Sequence, residues 1–485
     1  MAACVSDTHK FAPGYDRAVR NDQNNRPLVI QTKRAFMRSF ILILSLLVSL
    51  AVYKLALSSR YKRLWLGSYE LPADDDDIVK LRTYKILNGH NDLSYYLRWL
   101  VRDRINSSNF TTPFENGQLD GHTDLVKLRQ GRVGGIFWGI FTDCPTNDYD
   151  AEYLAKMSTN TQAAVDVLKR IEGKYPHNFE TASASHDVGS IFKSGRIATA
   201  FGLEGLHMIN NSTAKLREFY HSGVRYATLA HNCHNAYADA AIVRLPGSDH
   251  NSPAPPKWSG LSPAGEKIVV EMNRLGIMVD LSHASAATAQ QVLERSTAPS
   301  VRRLIPKQTS GWDGRLAPPI MSHSNAFALC PHPRNAPDDV LQLIRARKGI
   351  VMVTFVPEFV SCYWPDGTPV PDKVPQLYPP NATMQHVVRH VRYIGDLIGY
   401  DHVGIGSDFG GMPAAVEGLD DVSRFPDLVT EMIKQGISDD DISKIIGRNI
   451  LRVWESAEFV SEKMQAAGVE PIEDDLPVQD WPWNN

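Results

Sequence analysis

The chain has 485 residues, 43% hydrophobic and 22% charged, a globular composition with room for one large domain plus appendages or for two ordinary domains. A formal net charge of −3 and the lack of a basic stripe interleaved with aromatics argue against a nucleic-acid partner. Five cysteines without any Cys-x-x-Cys pair argue against thiolate zinc and thioredoxin-like chemistry.

Residues 1–38 are polar, rich in Asn, Arg and Lys, and read as a disordered cytosolic tail. A mainly apolar run then extends over 39–58, with Lys54 its only charged residue. A membrane span needs about 20 apolar residues, which this run reaches if Lys54 snorkels to the interface. A cleaved signal peptide is the rival, but the long preceding tail favours an uncleaved transmembrane signal anchor. Lys and Arg flank the run on both sides, so charge does not orient it. Sequons do: Asn106, Asn109, Asn210, Asn211 and Asn381 each open an Asn-x-Ser/Thr, and all lie beyond the run. The expected topology is single-pass type II, in contact with the lipid bilayer, with the main domain luminal or extracellular. Residues 59–83, including the acidic run Asp74 to Asp77, read as a linker. Cys144, Cys233, Cys330 and Cys362 lie in the main domain, where they are either two disulfides or buried thiols.

From residue 86 apolar, β-branched-rich runs of strand length recur at 86–89, 133–141, 197–203, 224–230, 277–281, 318–321, 349–355 and 402–406. Helix-like stretches separate most of them, among them 151–172, 262–275, 284–295, 337–347 and 384–398. Eight alternations predict an α/β fold, a (β/α)8 TIM-like barrel over 84–460, with a polar C-terminal tail at 461–485. A doubly wound open sheet is the runner-up, and the Gly-rich phosphate turn expected after its first strand is not found here.

Barrels of this kind carry function at the C-terminal ends of their strands. Those ends read His90 and Asp92, Glu204, His231, His283, His323 and Asp408. In extended backbone His90 and Asp92 point the same way. Any one of these residues is ordinary; four imidazoles and three carboxylates at one mouth describe a metal site. Histidine and carboxylate donors without cysteine suit catalytic zinc, with manganese or cobalt as alternatives, and the surplus of donors suits two metals sharing a carboxylate.

The ordered motifs Asn88-Gly89-His90-Asn91-Asp92-Leu93, His122-Thr123-Asp124, Arg132-Val133-Gly134-Gly135, Gly202-Leu203-Glu204-Gly205, Asp280-Leu281-Ser282-His283, Ser322-His323-Ser324 and Arg334-Asn335-Ala336-Pro337 resemble those of the membrane dipeptidase family of binuclear zinc peptidases. The resemblance runs from about residue 84 to 457 and implies two Zn2+ per chain. In it His90 and Asp92 hold one zinc, His283 and His323 the other, and Glu204 bridges them. A metal-bridging hydroxide attacks the dipeptide carbonyl, Asp408 moves the proton, His231 stabilises the oxyanion, and Arg334 grips the substrate's terminal carboxylate. It also implies the disulfides Cys144–Cys233 and Cys330–Cys362. A homodimer is left open. Two departures are expected to reshape the pocket without touching a ligand: Gly410 stands where relatives commonly carry a second Asp, and Leu206 where they carry Gly. The chain ends without the apolar tail of a lipid-anchor signal, so the N-terminal anchor takes that role. The competing classes are a barrel metallohydrolase for other amides, lactones or phosphotriesters, and a non-catalytic scaffold on a retired barrel. Glu204 at the third strand end argues against the first, and the intact donor set against the second.

The topology generates a prediction. Glycosidase treatment of the membrane-bound protein should increase its gel mobility; an unglycosylated protein with all its thiols free in its native cell would contradict it.

Overall fold

The structure, a computed structural model, describes residues 85–144, 151–244, 250–294, 316–370 and 372–474. The tail, the apolar run at 39–58 and most of the linker lie outside these residues. Among the described residues no helix is long and apolar enough to cross a membrane.

Eight strands form the sheet: β1 (Ile86–Asn91), β2 (Val133–Ile140), β3 (Ile197–Leu203), β4 (Val224–Thr228), β5 (Met278–Asp280), β6 (Ile320–Met321), β7 (Ile350–Val353) and β8 (Val403–Ile405). Each pairs in parallel with the next, in chain order. A short ninth strand, Phe179–Thr181, adds to the outer side of β3. The seam between β8 and β1 decides between barrel and open sheet. There the Asp92 N–H donates to the Phe409 carbonyl at 2.7 Å and the Asp408 N–H to the His90 carbonyl at 3.2 Å. Asn88 reinforces the seam from inside, its Nδ2 donating to Ser407 Oγ at 2.7 Å and its Oδ1 accepting from the Ser407 N–H at 2.9 Å. The result is a nearly closed eight-stranded TIM-like barrel.

All eight expected strands are present, and the expected helices form where the sequence signals place them. Ser262 caps Pro263–Leu275 by accepting from the Gly265 N–H, and Gly276 ends that helix at φ 84°. Thr383 caps Met384–Ile398 in the same way through the His386 N–H. Inside the barrel, Leu87, Phe137, Tyr226, Ile350 and Met352 form one buried layer with Ile450, Val453 and Trp454 of the helix Asn449–Ala466. That helix plugs the end of the barrel remote from the strands' C-termini, with Trp454 meeting Phe137 edge-on at 5.4 Å. A larger apolar shell fills the space between the strands and the outer helices.

The expected tail needs correction. The boundary at 460 falls within the helix Asn449–Ala466, and the chain from there to residue 474 packs back on the barrel, while 475–485 lie outside the described residues. Val469 is buried, and Asp474 accepts from Ser212 Oγ and from both the N–H and the hydroxyl of Thr213, each at 2.6 Å. A polar composition hid this because the apolar anchors, Met464 and Val469 with Ile472 against them, are few and spread among polar residues, and Asp474 adds hydrogen bonds that no hydrophobic pattern marks.

The two disulfides pair Cys144 with Cys233 and Cys330 with Cys362. The first ties the loop after β2 to the loop after β4.

Asn88→Ala would leave the buried Ser407 N–H without its acceptor, and an orphaned buried group of this kind costs about 1–3 kcal/mol. We predict a correspondingly lower denaturant midpoint at unchanged slope; an unaltered midpoint would show that the seam does not need the amide.

Candidate metal centre

At the C-terminal mouth, Glu204 is the common neighbour. Its Oε1 lies 3.0 Å from His283 Nε2, 3.4 Å from His323 Nε2, and 3.6 Å from both His90 Nε2 and His231 Nε2. His90 Nε2 also lies 3.1 Å from Asp92 Oδ2 and 3.8 Å from Asp408 Oδ1. All seven candidate residues therefore converge. Asp92 has left the extended backbone, at φ −95° and ψ 39°, and heads the helix Leu93–Val101. The expected same-face arrangement with His90 is reached by a turn rather than by strand pleat.

Three of the histidines are aimed by partners behind them. Asp280, at the end of β5, accepts from the hydroxyls of Thr228 and Ser322 at 2.6 Å each, and from the N–H groups of Ser282 and Ser322. With its proton committed to Asp280, Ser322 Oγ accepts from His323 Nδ1 at 2.8 Å. His283 Nδ1 donates to Asn232 Oδ1 at 2.7 Å. Both rings thus carry their protons on Nδ1 and present bare Nε2 atoms to each other, 2.8 Å apart. His90 Nδ1 pairs with the Tyr226 hydroxyl at 2.6 Å. Tyr226 reaches it across the barrel interior because Gly202 has no side chain; a Cβ there would collide with the phenol ring.

Burial sets the electrostatics. It pushes His231, His283 and His323 well below the ordinary imidazole value, so all three are neutral near pH 7. Burial also opposes charge on His90, but Asp92, Tyr226 and Glu204 outweigh it and raise that ring's value. Burial, then the Asp92 charge, lifts the Glu204 carboxyl to about 7. The Asp408 carboxyl is raised well above its usual range, again by burial and then by Asp92 and Glu204 against the lowering effect of His90. His283 and Asp408 both stand in left-handed backbone, at φ 63° and 66°, a strained conformation for residues with a Cβ.

The donor set fits a cation. Two bare imidazole nitrogens face each other beside a carboxylate, and Asp92 Oδ1 is buried with no hydrogen-bond partner. Nitrogen and oxygen atoms come within 4.8 Å of one another in three overlapping groups: His90, Glu204 and His323; Glu204, His231 and His283; and His90, Asp92 and Asp408.

Arg334 is 3% exposed, and its Nη2 reaches only the His323 carbonyl, at 3.4 Å. Its Nε is buried without a partner, and its guanidinium lies 5.2 Å from the Phe359 ring centroid. Burial pulls its pKa down to about 10, against the opposing carboxylates Asp408 and Glu204. The acids that open the next helix have other partners: among the described residues Asp338 accepts from the Tyr393 hydroxyl and Asp339 from Gln290.

Sequence reasoning quoted Asp280 and Ser322 within motifs and took Tyr226 as part of the run 224–230, gave none of them a role, and missed Asn232. Their signal is indirect: each is a polar atom on or beside a strand whose partner lies on another strand. The His122-Thr123-Asp124 motif proves to be a brace. His122 accepts from the Gly410 N–H at 3.2 Å, Thr123 Oγ1 from Asn91 Nδ2 at 3.0 Å, and Asp124 caps Leu125–Gln130.

A parallel barrel with imidazoles and carboxylates converging at its C-terminal mouth defines a barrel hydrolase of the metal-dependent class. Comparison makes this specific. The membrane dipeptidase family model (peptidase family M19) matches residues 78–468. Dipeptidase aclJ of Aspergillus oryzae is 38% identical over 393 residues, covering 81% of this chain and 82% of its own. Dipeptidase verJ of Clonostachys rogersoniana is 40% identical over 408 residues, covering 82% and 92%. Among solved structures, the dipeptidase AC, an M19 metallopeptidase, superposes with a TM-score of 0.61 at 25% identity, covering 77% of this chain and 99% of its own. The chain belongs to the membrane dipeptidase family, and it is a peptide-bond hydrolase.

The raised Glu204 value has a consequence for metal-stripped protein. The carboxyl titrates at 4.5 by its ordinary value and at about 7 when folded, so folding retains a proton that the unfolded chain has lost. Stability from this group is therefore full below 4.5, falls as pH rises to about 7 and stays lower above it. At roughly 1.4 kcal/mol per unit the loss is about 3 kcal/mol. We predict that metal-stripped Glu204→Gln gains stability over metal-stripped wild type only above about pH 5, approaching that amount by about pH 8. A gap that does not change with pH in denaturant unfolding would refute the assignment.

Proposed function

We propose that the chain hydrolyses dipeptides at a binuclear zinc centre, with His90 and Asp92 holding one ion, His283 and His323 the other, and Glu204 shared. The observation that carries this reading is Glu204 Oε1 standing 3.0–3.6 Å from four imidazole nitrogens, two of them bare. Bound there, zinc would supply Lewis-acid polarisation of the substrate carbonyl and would lower the pKa of water towards neutral pH.

The remaining work falls to side chains. Asp408, with its affinity for a proton raised by burial, takes the proton of the attacking water and delivers it to the leaving amine. His231, neutral and beside Glu204, donates to the oxygen that gains charge in the transition state. Arg334 has donor capacity to spare in a buried position, and it pairs with the free carboxylate of the substrate. That pairing fixes the length of peptide accepted, because in a dipeptide the carboxylate lies one residue beyond the scissile bond. The Phe359 ring supports the guanidinium plane.

The N-terminal run anchors this domain as a single-pass type II membrane protein. Support comes from the sequon asparagines, of which Asn106, Asn109 and Asn211 are exposed and Asn210 and Asn381 partly so. Two disulfides also suit an oxidising compartment.

Two predictions test the assignment of roles. Asp408→Asn should keep its zinc content while losing turnover by about a hundredfold or more, the scale of general acid–base catalysis; loss of metal together with turnover would make Asp408 a ligand instead. Arg334→Ala should lose about 2–5 kcal/mol in kcat/KM towards free dipeptides and little towards amidated ones. If wild type cleaves tripeptides and amidated dipeptides as readily as free dipeptides, Arg334 does not read the carboxylate.

A further inference from the structure

A second cluster of donors lies behind His231. Cys144, Cys233 and His207 bring their ligand atoms within 4.8 Å of one another, although the two cysteines are 89 residues apart in sequence. The loops after β2 and β4 deliver the sulfurs, and the turn after β3 delivers the imidazole. In the structure the sulfurs are joined as a disulfide. His207 is fully buried, and its Nε2–H donates to the Thr142 carbonyl at 3.0 Å. A carbonyl only accepts, so the ring proton sits on Nε2 and Nδ1 carries a bare lone pair. That Nδ1 is buried and has no hydrogen-bond partner. One ring nitrogen tied to a backbone carbonyl and the other left free is how metal-ligating histidines are held. Cys144 is partly exposed, which opens the sulfurs to solvent thiols.

We propose that Cys144, Cys233 and His207 form a latent site for a thiophilic divalent cation of the zinc and cadmium type, masked by the disulfide and opened by its reduction. A dithiol supplies two electrons and two protons: the Cys144–Cys233 bond breaks, both sulfurs become thiols, and the dithiol closes to its own disulfide. The cation then displaces the two thiol protons and binds two thiolates and one imidazole, a donor set that leaves a fourth position free. His231 Nδ1, 3.7 Å from Cys144 Sγ, is the nearest group for that position. Reduction followed by metal capture therefore draws on the histidine assigned to the oxyanion. That second step rests on the proposed function, whereas the binding step does not.

The test uses the full-length purified chain, a phosphine as reductant and cadmium as probe, followed by the ultraviolet thiolate-to-cadmium charge-transfer band. The donors assigned to the dinuclear centre include no cysteine, so the band is silent there. Reduced wild type should exceed the reduced Cys144→Ser/Cys233→Ser variant by one saturable cadmium equivalent, and oxidised wild type should show no excess over the oxidised variant. His207→Leu should weaken that equivalent by roughly tenfold or more, and Cys144→Ser alone should remove it. No difference between reduced wild type and the double variant would overturn the proposal. So would a band that neither His207→Leu nor Cys144→Ser alters. In parallel, kcat for a free dipeptide should fall as the equivalent fills, with KM changing less. A wild type that cleaves no dipeptide refutes the function while leaving the band to decide the site.

Discussion

Two imidazole nitrogens whose protons are committed elsewhere, facing each other at 2.8 Å beside a buried carboxylate, cannot satisfy one another by hydrogen bonding. In a low-dielectric mouth such an arrangement is repulsive unless positive charge enters it. Much of the surrounding structure serves to hold it open. Asp280 fixes the Ser322 hydroxyl, which fixes His323; Asn232 fixes His283; Tyr226 fixes His90. Loss of any of these would free a ring to rotate and take a proton at Nε2, and the site would relax into ordinary hydrogen bonds.

The barrel seam and the site are the same stretch of chain. Asn88 closes β1 on Ser407 while His90 and Asp92, two and four residues on, face the centre. Asp408 follows Ser407 directly and is held in left-handed backbone, so the seam that completes the fold also sets the position of its carboxylate. Space is equally controlled. A Cβ at Gly139 would strike Asp92 Oδ1, the buried oxygen that has no partner of its own. Strain at His283 and Asp408 is retained because neighbouring groups fix them: Asn232 holds the His283 ring, and the backbone hydrogen bonds of the seam hold Asp408 against His90.

Much of this was legible from the chain alone, for identifiable reasons. Barrel strands are short apolar runs bounded by helix caps, and a parallel barrel delivers whatever follows each strand to one mouth. His90, Glu204, His231, His283, His323 and Asp408 could therefore be found by reading strand ends. The supports could not. Asp280 reads as an acid ending a strand, and its four partners come from three separate segments. Tyr226 reads as strand core, and its hydroxyl gains meaning only from Gly202 across the sheet. His207 reads as a loop histidine until its proton is placed by Thr142. The packed segment ending at Asp474 escaped because its apolar anchors, Met464, Val469 and Ile472, are sparse among polar residues and its hydrogen bonds leave no hydrophobic period.

Metal stoichiometry against turnover tests the central claim most directly. Purified protein dialysed to equilibrium with zinc, assayed for metal per chain and for dipeptide hydrolysis in the same samples, should bind two equivalents and lose activity as they are removed by chelation. Full turnover with fewer than two metals per chain, or turnover that survives their removal, would contradict the account.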